Sequence, residues 1–289
     1  MINKRLLLVD GTQLFYRSFF GIKELTTRDG QPSNAVFGFV RGIHQLIEGR
    51  CPSHIVVVWD GGIPAARRHL LPEYKAQRPP MPDALRVQYT PIVEFLAAAG
   101  IPLIRMDQEE ADDILASLAH WAEPEAGEII VATCDKDLYQ MVSDKTVMVG
   151  WGKDDKPAGR LAVFEKTGVY PEQIVDWLAL TGDAVDNIDG VEGVGPKTAA
   201  KLLAQFGTIE GVFRGIDLVQ PERIRERLKV DQQKIDRNLA LVKLNTAMNC
   251  SPGWEDLMCR PENPVKMRPF YVRMEFHSLI KACDQGELF

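Results

Sequence analysis

Short apolar runs set the pattern of this chain. Leu6-Leu7-Leu8-Val9, Ile55-Val56-Val57-Val58-Trp59 and Ile129-Ile130-Val131-Ala132 are brief, rich in branched residues and bounded by turn formers. Strands buried on both faces of a parallel sheet read this way. Between them the spacing of apolar positions becomes helical. Gly11 to Phe20 predicts a helix capped by Thr12. Asn34 to Ile47 predicts a second helix despite two glycines. Residues 83–99 predict an amphipathic helix stopped by Gly100, and Ile101-Pro102-Leu103-Ile104 a short strand. A hairpin-like region follows, with turn signals at Asp144-Lys145 and Gly152-Lys153-Asp154-Asp155.

Around residue 166 the alternation of strand and helix gives way to helix alone. A helix is expected from Pro171 to Leu180, and another from Asn238 to Leu244. Residues 250–270 read as irregular, and Val272 to Ile280 as a single closing helix. The expected organisation is an α/β domain over residues 1–166 and a helical domain over residues 167–289.

The polar positions give the apolar ones a direction. Asp10, Asp60 and the Asp135/Asp137 pair each follow the carboxyl end of an apolar run. Sites in open α/β sheets form outside those ends. Glu110, Asp112 and Asp113 open a further apolar helix, and Asp183 and Asp186 lie in a Gly-rich turn. Acids in a first helical turn are ordinary, because they favour its positive end. Their company here is not. Glu110 and Asp113 share a helical face; Asp112 points elsewhere unless the helix start bends it inward. Asp135 and Asp137 share one side of an extended segment. Asp183 and Asp186 share a face if their turn opens a helix. Nine carboxylates cannot crowd together ionised without counter-charge. Oxygen-only ligation points to magnesium or manganese. Two such ions about 3.5–4 Å apart clamp the attacking and leaving oxygens of a phosphodiester.

Composition narrows the setting. No apolar run is long enough to span a bilayer, so no membrane role is expected. Met1-Ile2-Asn3-Lys4-Arg5 leads straight into a strand, without a signal-peptide core. The 5 cysteines are scattered, which fits reduced thiols and a cytoplasmic location. A net charge of -6 argues against a nucleic-acid partner until the clustered acids are set aside. The bases are then local. Residues 61–82 carry Arg67-Arg68-His69 and Tyr74-Lys75-Ala76-Gln77-Arg78 before Pro79-Pro80-Met81-Pro82. A basic, aromatic arch beside the acids suits a single strand. Tyr16 and Arg17 are placed to stack on a nucleotide and pair with phosphate, whereas Phe15 and Phe19 read as core. Gly193-Val194-Gly195-Pro196 opens a long apolar helix bearing Lys197 and Lys201 on one face, as in a helix-hairpin-helix that meets duplex phosphates. Arg223, Arg225, Arg227 and Lys229, interleaved with Glu222 and Glu226, read as a solvated face.

Together these motifs carry a resemblance. Leu-Val-Asp-Gly, Tyr-Lys-x-x-Arg-Pro-Pro-Met-Pro, Glu-Ala-Asp-Asp, Thr-Cys-Asp-Lys-Asp and Gly-Asp-Ala-Val-Asp-Asn, followed by Gly-Val-Gly, occur in this order. The chain resembles the bacterial 5′-3′ exonuclease and flap endonuclease family, as a stand-alone homologue of the N-terminal 5′-nuclease domain of DNA polymerase I. The resemblance implies a PIN-like, mainly parallel sheet with flanking helices, a helical arch near residues 61–85 and a C-terminal helix-hairpin-helix region. It implies that Asp10, Asp60, Glu110, Asp112 and Asp113 serve a first metal, and that Asp135, Asp137, Asp183 and Asp186 serve a second. Lys75 and Arg67 take catalytic positions by the same likeness. Tyr16, Arg17, Asn34, Tyr74 and Arg78 fall in motifs near the cleft. Potassium at the Gly193–Gly195 hairpin, a 5′-flap or branched DNA substrate and a monomer complete the implied picture. Trp59 and residues 61–66 depart from the family pattern, as does Asp189. Residues 61–66 support an alternative, a DNA junction-binding protein with little or no catalysis. A metal-dependent ribonuclease on a related core is a third reading.

Overall fold

The computed structural model describes residues 4–152, 155–250 and 252–285. The first half contains β1 (Arg5–Asp10), α1 (Gly11–Gly21), α2 (Asn34–Arg50), β2 (His54–Trp59), α3 (Ala65–Leu70), α4 (Asp83–Arg86), α5 (Tyr89–Ala99), β3 (Leu103–Arg105), α6 (Ala111–Ala122), β4 (Glu128–Ala132) and β5 (Thr146–Val149). The second half contains α7 (Arg160–Thr167), α8 (Ile174–Thr181), β6 (Gly182–Asp183), β7 (Ile188–Asp189), α9 (Pro196–Phe206), α10 (Ile209–Arg214), α11 (Glu222–Val230), α12 (Gln232–Val242), α13 (Pro264–Arg273) and α14 (His277–Gln285).

The five strands β1 to β5 form one parallel sheet in the order β3-β2-β1-β4-β5. The chain lays β2 and β3 on one side of β1, then crosses to place β4 and β5 on the other. The switch therefore falls between β1 and β4, where crevices open at strand carboxyl ends. Asp10 and the segment after β4 flank it.

Alternation along the strands divides the core in two. Leu6, Leu8, Val56, Val58, Ile129 and Val131 face α6 and the helices of the second half. Leu7, Val9, Ile55, Val57, Ile130 and Ala132 face α1, α2, α5 and α13. Each fully buried aliphatic side chain contributes roughly 1.5–3 kcal/mol. The change of secondary structure near residue 166 does not divide either core. One core runs from the sheet through α6 into α8, α9 and α12. Meanwhile α13 returns to the opposite face, where His44 Nε2 lies 2.8 Å from Glu262 Oε1 and the Tyr271 hydroxyl donates to Glu262 Oε2 at 3.1 Å.

Several elements differ from the sequence reading. The helix expected over residues 83–99 is two, α4 and α5, parted at Val87-Gln88. The closing helix is likewise α13 and α14, parted where Glu275 adopts a φ of 55°. The Asp183/Asp186 turn does not open a helix. It is a β-hairpin, with Gly182 opposite Asp189 and Asp183 opposite Ile188. In the region expected to be hairpin-like, β5 joins the sheet in parallel, and Met148 bridges to Ala158. The Lys153-Asp154 tip lies outside the described residues.

Gly61, just past β2, explains part of the unusual segment 61–66. Its N–H donates to Glu109 O at 2.8 Å, and its carbonyl accepts Gln108 N–H at 3.0 Å. A Cβ there would overlap the Met106 carbonyl oxygen. The glycine lets two backbones touch and so seats the neighbouring Asp60. Gly61→Ala is expected to cost about 1–3 kcal/mol through overpacking. The measurement is a lower urea midpoint at unchanged slope; an unchanged midpoint contradicts this account of the contact.

Candidate active site

The site assembles at the carboxyl edge of the sheet. Asp10 ends β1 and caps α1, since its Oδ1 accepts Gln13 N–H at 2.9 Å. Thr12, the expected cap, instead accepts Asp60 N–H at 2.9 Å through its hydroxyl. The other Asp10 oxygen accepts the Thr133 hydroxyl at 3.0 Å. Asp60 Oδ1 takes Ala111 N–H at 2.9 Å, which pins the first turn of α6 beside β2. That pin decides where the α6 acids go. Asp112 faces Asp135, Asp10 and Asp60. Glu110 and Asp113 turn together to the other side, as their spacing predicts.

That other side is filled by Arg67 from α3. Its Nη1 donates to Glu110 and to Asp113 Oδ2 at 2.7 Å, and its Nη2 to Asp113 Oδ1 at 2.9 Å. Nε and Nη2 also reach the Leu241 and Lys243 carbonyls, at 3.1 and 3.4 Å. All the N–H donors of a guanidinium are thereby engaged. Burial alone would lower its pKa, but Glu110 and Asp113 outweigh that and hold it above the usual range. In this placement Arg67 ties α3, α6 and the end of α12 together, with its donors engaged within the protein.

Lys75 and Arg78 lie closer to the cleft. Lys75, in a left-handed conformation with φ 57°, donates its N–H to Asp186 O at 3.1 Å. Its ammonium sits 2.5 Å from Glu110 Oε1 and 3.5 Å from Asp186 Oδ2. Arg78 Nη2 meets Asp186 Oδ1 at 2.6 Å, with its side chain 46% exposed. Buried Tyr74 does not offer a stacking face. Its hydroxyl donates to Glu110 and Asp186 at 3.2 and 3.1 Å. Segment 61–85 therefore lies down on the carboxylates.

Asp137, Asp183 and Asp186 each bring a carboxylate oxygen within 4.8 Å of the others. Asp137 Oδ1 is buried and has no hydrogen-bond partner among the described residues. Asp183 is met by Lys136 at 3.3 Å. Asp135 lies between this trio and the Asp10, Asp60 and Asp112 group, feeling charges of both. The consequence is a set of carboxyls reluctant to ionise. Burial, then neighbouring Asp60, outweighs the Gln13 bond and raises Asp10 to about 7. Burial, then Asp135 and Asp183, raises Asp137 to about 8. Burial and Asp135 push Asp112 well above the usual range, and burial raises Asp135 too. An orphaned buried oxygen and all-carboxylate donors fit hard divalent cations.

A cleft of about 440 Å³ opens over Asp10, Asp60, Asp112 and Asp135, bordered by Tyr16 and Arg78. Arg17 is exposed but faces a separate groove between α1 and α2. Asn34, expected near the cleft, is buried. Its amide donates to Phe19 O at 2.9 Å and its oxygen accepts from Gln88 at 3.0 Å, fastening α2 to α1. Gly193, Gly195, Lys197 and Lys201 are exposed, more than a chain segment away on the hairpin and α9. Sequence reasoning missed Thr12, Thr133 and Lys136 as partners of the acids. Each stands beside an acid in the quoted motifs, but only the fold reveals which oxygen it serves.

Residues 5–168 match the 5′-3′ exonuclease N-terminal resolvase-like domain, and residues 169–265 match the 5′-3′ exonuclease C-terminal SAM fold. The chain belongs to the 5′-3′ exonuclease family. It is 36% identical to a 5′-3′ exonuclease of Aquifex aeolicus, over 98% of this chain and 96% of that one. It is 38% identical to the thermostable DNA polymerase I of Thermus thermophilus, over 96% of this chain but only 33% of the polymerase. Among solved structures, a T5 5′-exonuclease with bound zinc superposes with a TM-score of 0.70 at 25% identity, covering 84% of this chain and 90% of that one. The catalytic core of Rad2 in complex with DNA substrate shares the fold, with a TM-score of 0.63 at 17% identity over 94% and 88% of the two chains. This exonuclease is thus a DNA-binding nuclease and a phosphodiester hydrolase. No helix among its described residues is long and apolar enough to cross a membrane.

The raised carboxyls give this exonuclease a pH signature. A carboxyl whose pKa rises on folding favours the folded state below its unfolded value and loses that advantage as pH climbs through the folded one. For Asp10 and Asp137 the window runs from the ordinary 3.8 to about 7 and about 8. In chelator, the melting temperature is expected to fall across that window, and a divalent cation is expected to flatten the fall. A chelated protein equally stable at both ends contradicts the assignment.

Proposed function

We propose that this nuclease hydrolyses DNA at 5′ flaps, ends and branched junctions, as a monomer, using two magnesium ions that manganese can replace. The observation that carries the reading is the division of the cleft acids into two groups joined at Asp135. Asp10, Asp60 and Asp112 would hold one ion, Asp137, Asp183 and Asp186 the other, with Asp135 between them. Glu110 and Asp113, expected as ligands, already have cationic partners and act by orienting α6. When bound, the ions supply charge neutralisation and Lewis-acid activation of water and phosphodiester.

The chain's own residues do the rest. Lys75 and Arg78 bring positive charge to the rim of the cleft, where a phosphate's developing charge is best stabilised. Their carboxylate partner Asp186 belongs to the second group, so a cation held there would release Arg78 toward the substrate, while Lys75 keeps Glu110 as its partner. Tyr16 offers a half-exposed ring at the cleft mouth, suited to a terminal base. The exposed turn around Gly193 and Gly195 supports a backbone contact to duplex phosphate, with potassium as the ion that would share it.

Cleavage of a 5′-labelled DNA flap in magnesium, in manganese and in chelator tests the reading, beside an all-RNA flap that tests the ribonuclease alternative. Metal-dependent cuts near the flap base are expected on DNA. Asp137→Asn is expected to slow cleavage at least about 100-fold while flap binding survives. Full activity in that variant overturns the second metal group.

The two arch bases are expected to separate. Lys75→Ala slows the chemical step about 100-fold with the fold intact. Arg67→Ala leaves Asp113 buried without its cationic partner and Glu110 with Lys75 alone, and costs about 3–5 kcal/mol of stability. Single-turnover rates and denaturation midpoints report both. A stable Arg67→Ala protein that is merely slow would return Arg67 to the substrate.

A further inference from the structure

The four bases of α11 look alike in sequence and differ in space. Arg225 pairs with Glu222 at 2.9 Å and Glu226 at 3.4 Å. Arg227 pairs with Asp231 at 3.0 Å and Glu192 at 3.3 Å. Lys229 pairs with Glu226 at 3.1 Å and Asp217 at 3.8 Å. Arg223 is exposed and has no carboxylate partner among the described residues. Its position is nevertheless fixed. The next residue, Ile224, is only 6% exposed, and its Cδ1 would lie 3.3 Å from a Cβ on Gly193. The Arg223 guanidinium itself stands 3.8 Å from that same point. The first turn of α11 is thus seated against the hairpin turn, with a free guanidinium over it.

Lys197 and Lys201 lie one turn apart on the exposed side of α9, also without an ion pair among the described residues. Glu192, the acid within the hairpin, is taken up by Arg227. Lys234 is spent on Asp231 and the Gly190 carbonyl. What remains around the exposed hairpin is three uncompensated positive charges on a chain of net charge -6. Nothing in the fold uses them.

We propose that Arg223 is a phosphate-binding residue, forming with Lys197 and Lys201 a cationic track that holds a duplex arm of the DNA substrate. The inference rests on the DNA-cleaving reading above and adds a residue outside the hairpin to it. A free guanidinium fork suits a phosphate's paired oxygens. It stands over the hairpin turn and acts as a positioning group, with no part in the chemistry.

The test is fluorescence anisotropy of a labelled branched DNA in chelator, from about 50 to about 200 mM KCl. The native protein is compared with Arg223→Ala and with Arg225→Ala, whose side chain is already paired. Arg223→Ala is expected to weaken binding about threefold to tenfold at low salt and to lower the salt slope by about 0.9. Arg225→Ala is expected to match the native protein. On a single-stranded oligonucleotide without a duplex arm, all three should agree. Equal behaviour of Arg223→Ala and the native protein on the branched DNA overturns the proposal. So does an equal loss in both variants, or a loss that persists on the single strand. Failure of the native protein to bind branched DNA overturns the DNA reading itself, and the proposal with it.

Discussion

Buried like charges repel unless something positive sits among them, and this fold is arranged around that constraint. Its sheet brings acids to one edge because parallel strands all release their chains there. The protein then supplies some of the counter-charge itself. Arg67, Lys75 and Arg78 neutralise Glu110, Asp113 and both oxygens of Asp186. Lys136 meets Asp183, while Asp10, Asp112 and Asp137 lie buried among like charges that raise their pKa values. A buried carboxylate pair with good partners holds structure together. One without partners is an open demand for a cation. The same acidic edge contains both kinds, and the difference between them separates scaffold from chemistry.

The arch has a double meaning in this light. Lys75 and Arg78 hold Asp186, while Tyr74 bridges Glu110 and Asp186. Asn187 adds a bond from its amide to the Glu73 carbonyl at 2.9 Å, so the β6–β7 hairpin and the arch are fastened face to face. Arg67 extends the connection to the end of α12. The helices of the second half and the carboxylate edge are therefore one packed unit, through a shared apolar core as well as through these polar ties.

Much of this was legible in the sequence, for a physical reason. Three strands buried on both faces must be apolar throughout, and an Asp where each run stops can only lie at the sheet edge. Periodicity likewise placed Glu110 and Asp113 on one face. It could not say which face the cleft would use. That was set by a long-range bond from Asp60 to Ala111 N–H, which turned Asp112 inward. Arg67, Tyr74 and Asn34 show a related effect. A polar residue in a functional motif resembles a ligand contact until its partners are seen, and all three find theirs within the protein. Gly61 lies in the stretch that departs from the family pattern. It is a glycine because two backbones meet there. The Asp183 turn became a β-hairpin because Gly182 and Asn187 adopt left-handed conformations, φ 71° and 61°, that no spacing rule for acids reveals.

The central claim is that two groups of clustered carboxylates each demand a cation. Titrating the chelated protein with manganese, and following free ion by electron paramagnetic resonance, counts them directly. The account predicts two ions per chain in the native protein and loss of one in Asp137→Asn. A single ion in the native protein, or two retained at native affinity in the variant, would contradict it.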